Sequence, residues 1–86
     1  MKIEIQLFGA FRDFEPAALV ALELPADAVV GDVRAALERH AVARWPRFQP
    51  ALLQRSALAS TSSVLRDHEP LPADGRMAVL PPVSGG

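Results

Sequence analysis

Apolar and polar residues alternate strictly at the start of the chain. Ile3, Ile5 and Leu7 fall on one side of an extended backbone, and polar residues occupy the positions between them. A period of two is typical of a strand with one buried face, so the pattern predicts a first strand here. Phe8 continues the polar side of the alternation, which predicts that its ring points away from the core.

A second apolar run covers residues 17–24, AALVALEL, and Pro25 ends it. We expect a second strand here, because proline cannot continue a hydrogen-bonded ladder. Two strands joined by a short connection most simply form an antiparallel hairpin. The connection, residues 9–16, is predicted as a turn or short loop in which Phe11 and Phe14 are available to pack.

The hydrophobic period then changes over residues 25–45, which predicts the main helix. Asp27 is the expected cap, Asp32 falls in the first turn, where an acidic side chain is favoured, and Pro46 lies beyond the end. Arg34 is among the polar residues expected to point outward. Apolar residues at spacings of three and four form the buried stripe: Val30, Val33, Leu37 and Ala41.

The rest of the chain predicts shorter elements. A short helix is expected to start near Pro50, and one or two short strands are expected within residues 57–65. An Asp-Gly pair ending at Gly75 is a turn signal, and residues 76–80, RMAVL, are predicted as the final strand.

Strands gathered around one long helix predict an α+β layer. If the last strand lies beside the first, the fold is a β-grasp, or ubiquitin-like, arrangement: a mixed sheet of about four to five strands packed on one main helix. A ferredoxin-like fold also mixes these elements, and the element order alone leaves it open. We expect one domain over residues 1–80, followed by a flexible functional tail over residues 81–86.

Composition narrows the function classes. The net charge of −1 argues against a protein that binds nucleic acid or an acidic membrane. No cysteine is present, and His40 and His68 lie far apart in the sequence, so no metal site is expected. The sequence lacks an apolar run long enough to span a bilayer and a signal-peptide layout, so a cytoplasmic protein is expected.

The chain ends on PPVSGG, which can be a fraying tail or a working group. Pro81 and Pro82 fix φ and keep the root of the tail extended. Gly85 and Gly86 carry no Cβ and can pass through a narrow opening. The residue types therefore favour a tail that is stiff at its base and thin at its tip, with the terminal carboxylate as the reacting group.

Three segments carry a likeness to a known family: LFGAFRD (7–13), VVGDVRAALERH (29–40) and HEPLPADGRMAVLPPVSGG (68–86). Together they resemble the MoaD-type sulfur carriers, the small subunits of molybdopterin synthase. Wider relatives are the thiamine sulfur carrier ThiS and ubiquitin. The likeness covers most of the chain, although only the last dozen residues are specific.

This resemblance implies a chemistry for the tail. An E1-like activating enzyme of the MoeB type would adenylate Gly86 with ATP, and sulfur would then convert it to a thiocarboxylate, with Gly85 beside it. The thiocarboxylate would donate sulfur to a cyclic pyranopterin in the large, MoaE-type catalytic subunit, in an expected heterotetramer. The chain would bind no cofactor and would not be an enzyme by itself.

The resemblance also implies partner-binding residues. Phe8 matches an aromatic residue of the family, whereas Leu80 stands where phenylalanine is usual. The alternative for Phe8 is that it packs on Phe11 or Phe14. The expected partner-binding set is Phe8, Leu80, Pro81, Pro82, Val83 and Ser84.

Three other functions stay open at this point. A carrier for thiamine or cysteine synthesis would use the same tail chemistry. A ubiquitin-like modifier would form isopeptide bonds through Gly86, although the single lysine, Lys2, disfavours chains of itself. A plain β-grasp interaction module would carry an inert tail, because the fold hosts many unrelated roles.

Overall fold

Five strands form one mixed sheet around a long helix in the computed structural model, which describes residues 1–82. The strand order is β2-β1-β5-β3-β4, with β1 and β5 parallel and the other pairs antiparallel. This confirms the predicted α+β β-grasp fold. The elements are β1 (Lys2–Leu7), β2 (Leu19–Glu23), α1 (Val30–Arg44), α2 (Pro50–Gln54), β3 (Ala57–Ala59), β4 (Val64–Leu65) and β5 (Arg76–Leu80).

The parallel pair of β1 and β5 forms the middle of the sheet. Its register sets Ile5 beside Met77 and Leu7 beside Val79, so the apolar positions of both strands share the core face. The hydrogen bonding between the two strands continues one residue before β5, where the Glu4 N–H donates to the carbonyl oxygen of Gly75 at 2.8 Å. The alternation predicted for β1 is therefore confirmed.

The connection between β1 and β2 is more regular than a simple loop. It contains a 3-10 helix, Gly9–Asp13, that buries Phe11 completely. Phe14 stacks on Trp45 with ring centroids 5.1 Å apart. Trp45 also donates from Nε1 to the Glu15 carboxylate at 3.0 Å, so this aromatic cluster ties the connection to the end of α1.

The predicted stripe of α1 is confirmed, because all four of its residues are buried. The predicted cap was wrong. The helix begins at Val30, and Asp27 lies outside it; the Val29 N–H donates to the Asp32 carboxylate at 2.9 Å. No helix within residues 1–82 is both long and apolar enough to cross a membrane.

Arg34 does not point outward as predicted. Its Nη1 donates to the carbonyl oxygens of Leu53 and Ser56 at 2.7 and 2.9 Å. Its Nε and Nη2 donate to Oδ1 of Asp67 at 3.2 and 3.1 Å. One guanidinium therefore links α1 to the end of α2 and to the loop after β4, whose Asp67 carbonyl oxygen accepts from the Gly31 N–H at 2.8 Å.

Replacing Gly75 should destabilise the fold. Gly75 has φ +71°, and an added Cβ would lie 2.5 Å from the Lys2 carbonyl oxygen. We expect Gly75→Ala to lower the free energy of unfolding by about 2 to 3 kcal/mol, measured by urea denaturation. Ala18→Gly, at a site with φ 55°, is the control and should change it by less than about 1 kcal/mol. Equal stability of Gly75→Ala and the parent chain would contradict this account.

Arg34→Lys should also destabilise the chain, because an ammonium cannot reach three acceptors in the geometry of a guanidinium. The expected loss is about 2 kcal/mol in the same urea measurement. Arg39→Lys, at an exposed position of the same helix, should leave stability within about 0.5 kcal/mol. Equal effects of the two substitutions would refute the role assigned to Arg34.

Candidate functional site

The root of the tail leaves the sheet from its central strand. Because β5 lies between β1 and β3, residues on both sides hold it in place up to Leu80. Pro81 follows half-buried and Pro82 is exposed. The four remaining residues expected to act here, Val83, Ser84, Gly85 and Gly86, lie outside the described residues.

Phe8 lies on the open face of the sheet, opposite α1. It follows β1 directly, and its side chain is 41% exposed. The aromatic contacts within residues 1–82 join Phe11, Phe14, His40, Trp45 and Phe48 and do not include Phe8. The alternative in which Phe8 packs on Phe11 or Phe14 therefore does not describe this fold.

Leu80 falls next to Phe8 in the sheet. The last paired residues of the two strands are Leu7 and Val79, and one position further along come Phe8 and Leu80. Leu80 is half-buried and pairs with Ala57 of β3 on its other side. The structure thus brings together Phe8, Leu80, Pro81 and Pro82 where the two central strands end.

A row of side chains crosses the open face next to these strand ends. The strand register lines up one residue from each strand: Leu19, Gln6, Ala78, Ala59 and Val64. Four of the five are apolar, and Leu19 and Val64 are 40% and 64% exposed. Sequence reasoning missed both, although the residue parity of the short strands carried the signal.

A shallow groove of about 470 Å³ runs along this face. Phe8 and Leu19 contribute apolar walls, and Glu4 and Arg76 contribute charge of opposite sign. We name the open-face surface formed by Phe8, Leu19, Val64 and Leu80 the apolar face. It is a shallow apolar surface with a charged side, which suits a protein partner better than a small molecule held in an enclosed pocket.

Gly9 contributes a contact that the sequence did not predict. It follows Phe8, adopts φ +57° and lies directly against the ring of Pro81. Phe8 belongs to the apolar face and the next residue, Gly9, contacts Pro81, so the apolar face adjoins the root of the tail. Within residues 1–82, no group of three or more His, Asp or Glu side chains is arranged to hold a metal ion.

Solved structures share this fold over the whole chain. SAMP1 from Haloferax volcanii superposes with a TM-score of 0.74 at 24% identity, covering 100% of both chains. The HVO 2177 protein of the same organism superposes with a TM-score of 0.71 at 25% identity, covering 100% of this chain and 87% of the other. Both support the β-grasp assignment.

No protein-family model matches the chain. A curated relative, the molybdopterin synthase sulfur carrier subunit of Synechococcus elongatus, is 33% identical over 86 residues. The alignment covers 98% of this chain and 96% of the relative. Likeness of this extent, on a β-grasp fold whose central strand leads into PPVSGG, establishes the family: the chain belongs to the molybdopterin synthase sulfur carrier subunits.

Proposed function

We propose that the chain is a sulfur carrier whose C-terminal Gly86 is converted to a thiocarboxylate and donates sulfur as the small subunit of molybdopterin synthase. The observation that carries the proposal is the near full-length likeness to a sulfur carrier subunit. The structure adds that the tail root follows directly from β5, a central strand, so the sheet holds the base of the tail in place.

The first chemical step activates a poor electrophile. A carboxylate oxygen of Gly86 attacks the α-phosphorus of ATP, pyrophosphate leaves, and an acyl-adenylate forms in the pocket of an E1-like enzyme of the MoeB type. A sulfide equivalent then attacks the acyl carbon and displaces AMP. The product is the thiocarboxylate of Gly86, and ATP serves as the activating enzyme's substrate rather than as a cofactor of this chain.

The tail is suited to entering another protein. Six extended residues from Pro81 to Gly86 span about 20 Å, enough to reach into a partner's buried pocket. Pro81 and Pro82 reduce the entropy lost when the tail becomes ordered, because their φ angles are already fixed. Gly85 and Gly86 add no side-chain width where a pocket narrows.

The apolar face is the proposed docking surface for the large, MoaE-type catalytic subunit. It lies at the tail root, so docking through Phe8 and Leu80 would aim Pro81 and the residues beyond it at the partner. In the complex, a proposed heterotetramer, the thiocarboxylate sulfur displaces an oxygen substituent at a carbon of a cyclic pyranopterin. Water then cleaves the resulting thioester, which leaves one sulfur of the dithiolene on the pterin and a free carboxylate on Gly86. The ATP-dependent loading step is consistent with a cytoplasmic location.

A second candidate is a protein modifier. The structural neighbour SAMP1 and a further solved structure, that of the small archaeal modifier protein 1 from H. volcanii, share this fold, the latter with a TM-score of 0.67 at 22% identity. A modifier would join Gly86 to lysine side chains of other proteins. Conjugates in cell extract that carry this chain on lysine would favour it over the carrier.

Loading of the tail tests the proposed chemistry. The purified chain is incubated with an E1-like activating enzyme of its own organism, ATP and a sulfur donor, and its intact mass is measured. We expect the full-length chain to gain the mass difference of one sulfur for one oxygen, and a Gly86-deleted chain to stay unchanged. If neither chain changes while the same mixture loads a known carrier, the interaction module with an inert tail is favoured instead.

A charge on the apolar face should weaken docking. Phe8→Asp should reduce affinity for the large subunit by about tenfold or more, because a buried interface anchor is replaced by an unpaired carboxylate. Val42→Asp is the matched control: Val42 is 63% exposed on α1, on the opposite side of the sheet, and its variant should bind within about twofold of the parent. Calorimetric titration measures both, and equal losses would contradict the assigned surface.

A further inference from the structure

We propose that Gly9 is a positioning residue for the tail: it forms a flat seat for the Pro81 ring and thereby sets the direction in which the chain leaves β5. The inference rests on the proposed function, because its consequence is the delivery of Gly86 to an activating enzyme. Gly9 and Pro81 come from opposite ends of the chain and meet where β1 and β5 end.

The contact leaves no room for a side chain. A Cβ added to Gly9 would lie 2.6 Å from Cγ of Pro81 and 3.4 Å from Cδ. Carbon atoms in favourable contact are separated by about 3.5 to 4.0 Å, so any other residue must displace the ring. Gly9 and the proline are therefore matched in shape.

The backbone angle alone does not require glycine at this position. Gly9 has φ +57°, but Ala18 has φ 55° and Arg47 has φ 65° in the same molecule. The fold thus carries side chains in the left-handed conformation at two other sites. What distinguishes Gly9 from them is the Pro81 ring, which makes a tail contact rather than backbone strain the reason for glycine.

The seat matters because the Pro81 nitrogen carries no hydrogen and can donate no hydrogen bond. Proline therefore cannot extend the β5 ladder, so ring packing must hold it in place. Its locked φ then passes any displacement on to Pro82. A shift of about 1 Å in the position of a reacting group can cost on the order of a hundredfold in rate, so the direction at Pro81 affects the reaction at Gly86.

The test is a double-mutant cycle of Gly9→Ala and Pro81→Ala, read out as the kinetics of adenylation by the activating enzyme. Gly9→Ala should lower kcat by about tenfold with KM nearly unchanged, because the folded domain still binds the activating enzyme while the tail is misdirected. In the Pro81→Ala background, Gly9→Ala should have no further effect. The remaining Cβ of residue 81 lies 3.8 Å from the added Cβ, an ordinary contact distance.

Ala18→Gly is the matched control, since it exchanges the same two residue types at nearly the same φ away from Pro81. It should load like the parent chain. A Gly9→Ala effect that is equally large without the Pro81 ring would overturn the proposal, as would loading equal to that of the parent. If Gly9→Ala fails to fold, folding of the double variant supports the seat, and failure of both variants overturns it.

The outcome is separable from that of the proposed function. If the parent chain is never loaded, the carrier hypothesis fails, and the seat is then judged by NMR. Nuclear Overhauser contacts between the Gly9 α protons and the Pro81 ring protons are expected in the parent chain. Their absence in a folded parent chain would overturn the seat whatever the tail does.

Discussion

The parallel pairing of β1 and β5 is the constraint on which the rest of the structure depends. It joins the first and last strands of the fold at the centre of the sheet and brings the end of β5 beside the end of β1. Phe8, Gly9, Leu80 and Pro81 become neighbours only through this pairing. The proposed partner surface therefore adjoins the tail root, although Phe8 and Pro81 come from opposite ends of the chain.

One face of the sheet contributes to stability, and the other is the proposed binding surface. One face packs against α1 and forms the hydrophobic core, while the apolar face remains open. The exposed residues Leu19 and Val64 lie on the two edge strands, and Phe8 directly follows the central strand β1. The surface is therefore broad and shallow. Such a surface suits a protein partner better than a small molecule, and the proposed role of the tail that starts at Pro81 is to reach beyond it.

Much of the fold was predictable because its elements are encoded by local periodicity. The alternation of β1 and the stripe of α1 survive in the structure without change. Contacts between distant segments were not predictable in the same way. Arg34 looked like an outward-facing helix residue until α2 and the loop at Asp67 supplied acceptors, and Asp27 lost the capping role because the helix begins later. The match between Gly9 and Pro81 has no local signal at all, since it requires the pairing of the two central strands.

The most direct test of the account is the chemical state of Gly86 in the protein isolated from its own cells under conditions that preserve thiocarboxylates. Tandem mass spectrometry of the C-terminal peptide reads that state at a single residue. The account predicts a fraction of the chain with thioglycine at Gly86. Finding Gly86 only as a free carboxylate, or joined through an isopeptide bond to lysines of other proteins, would contradict it.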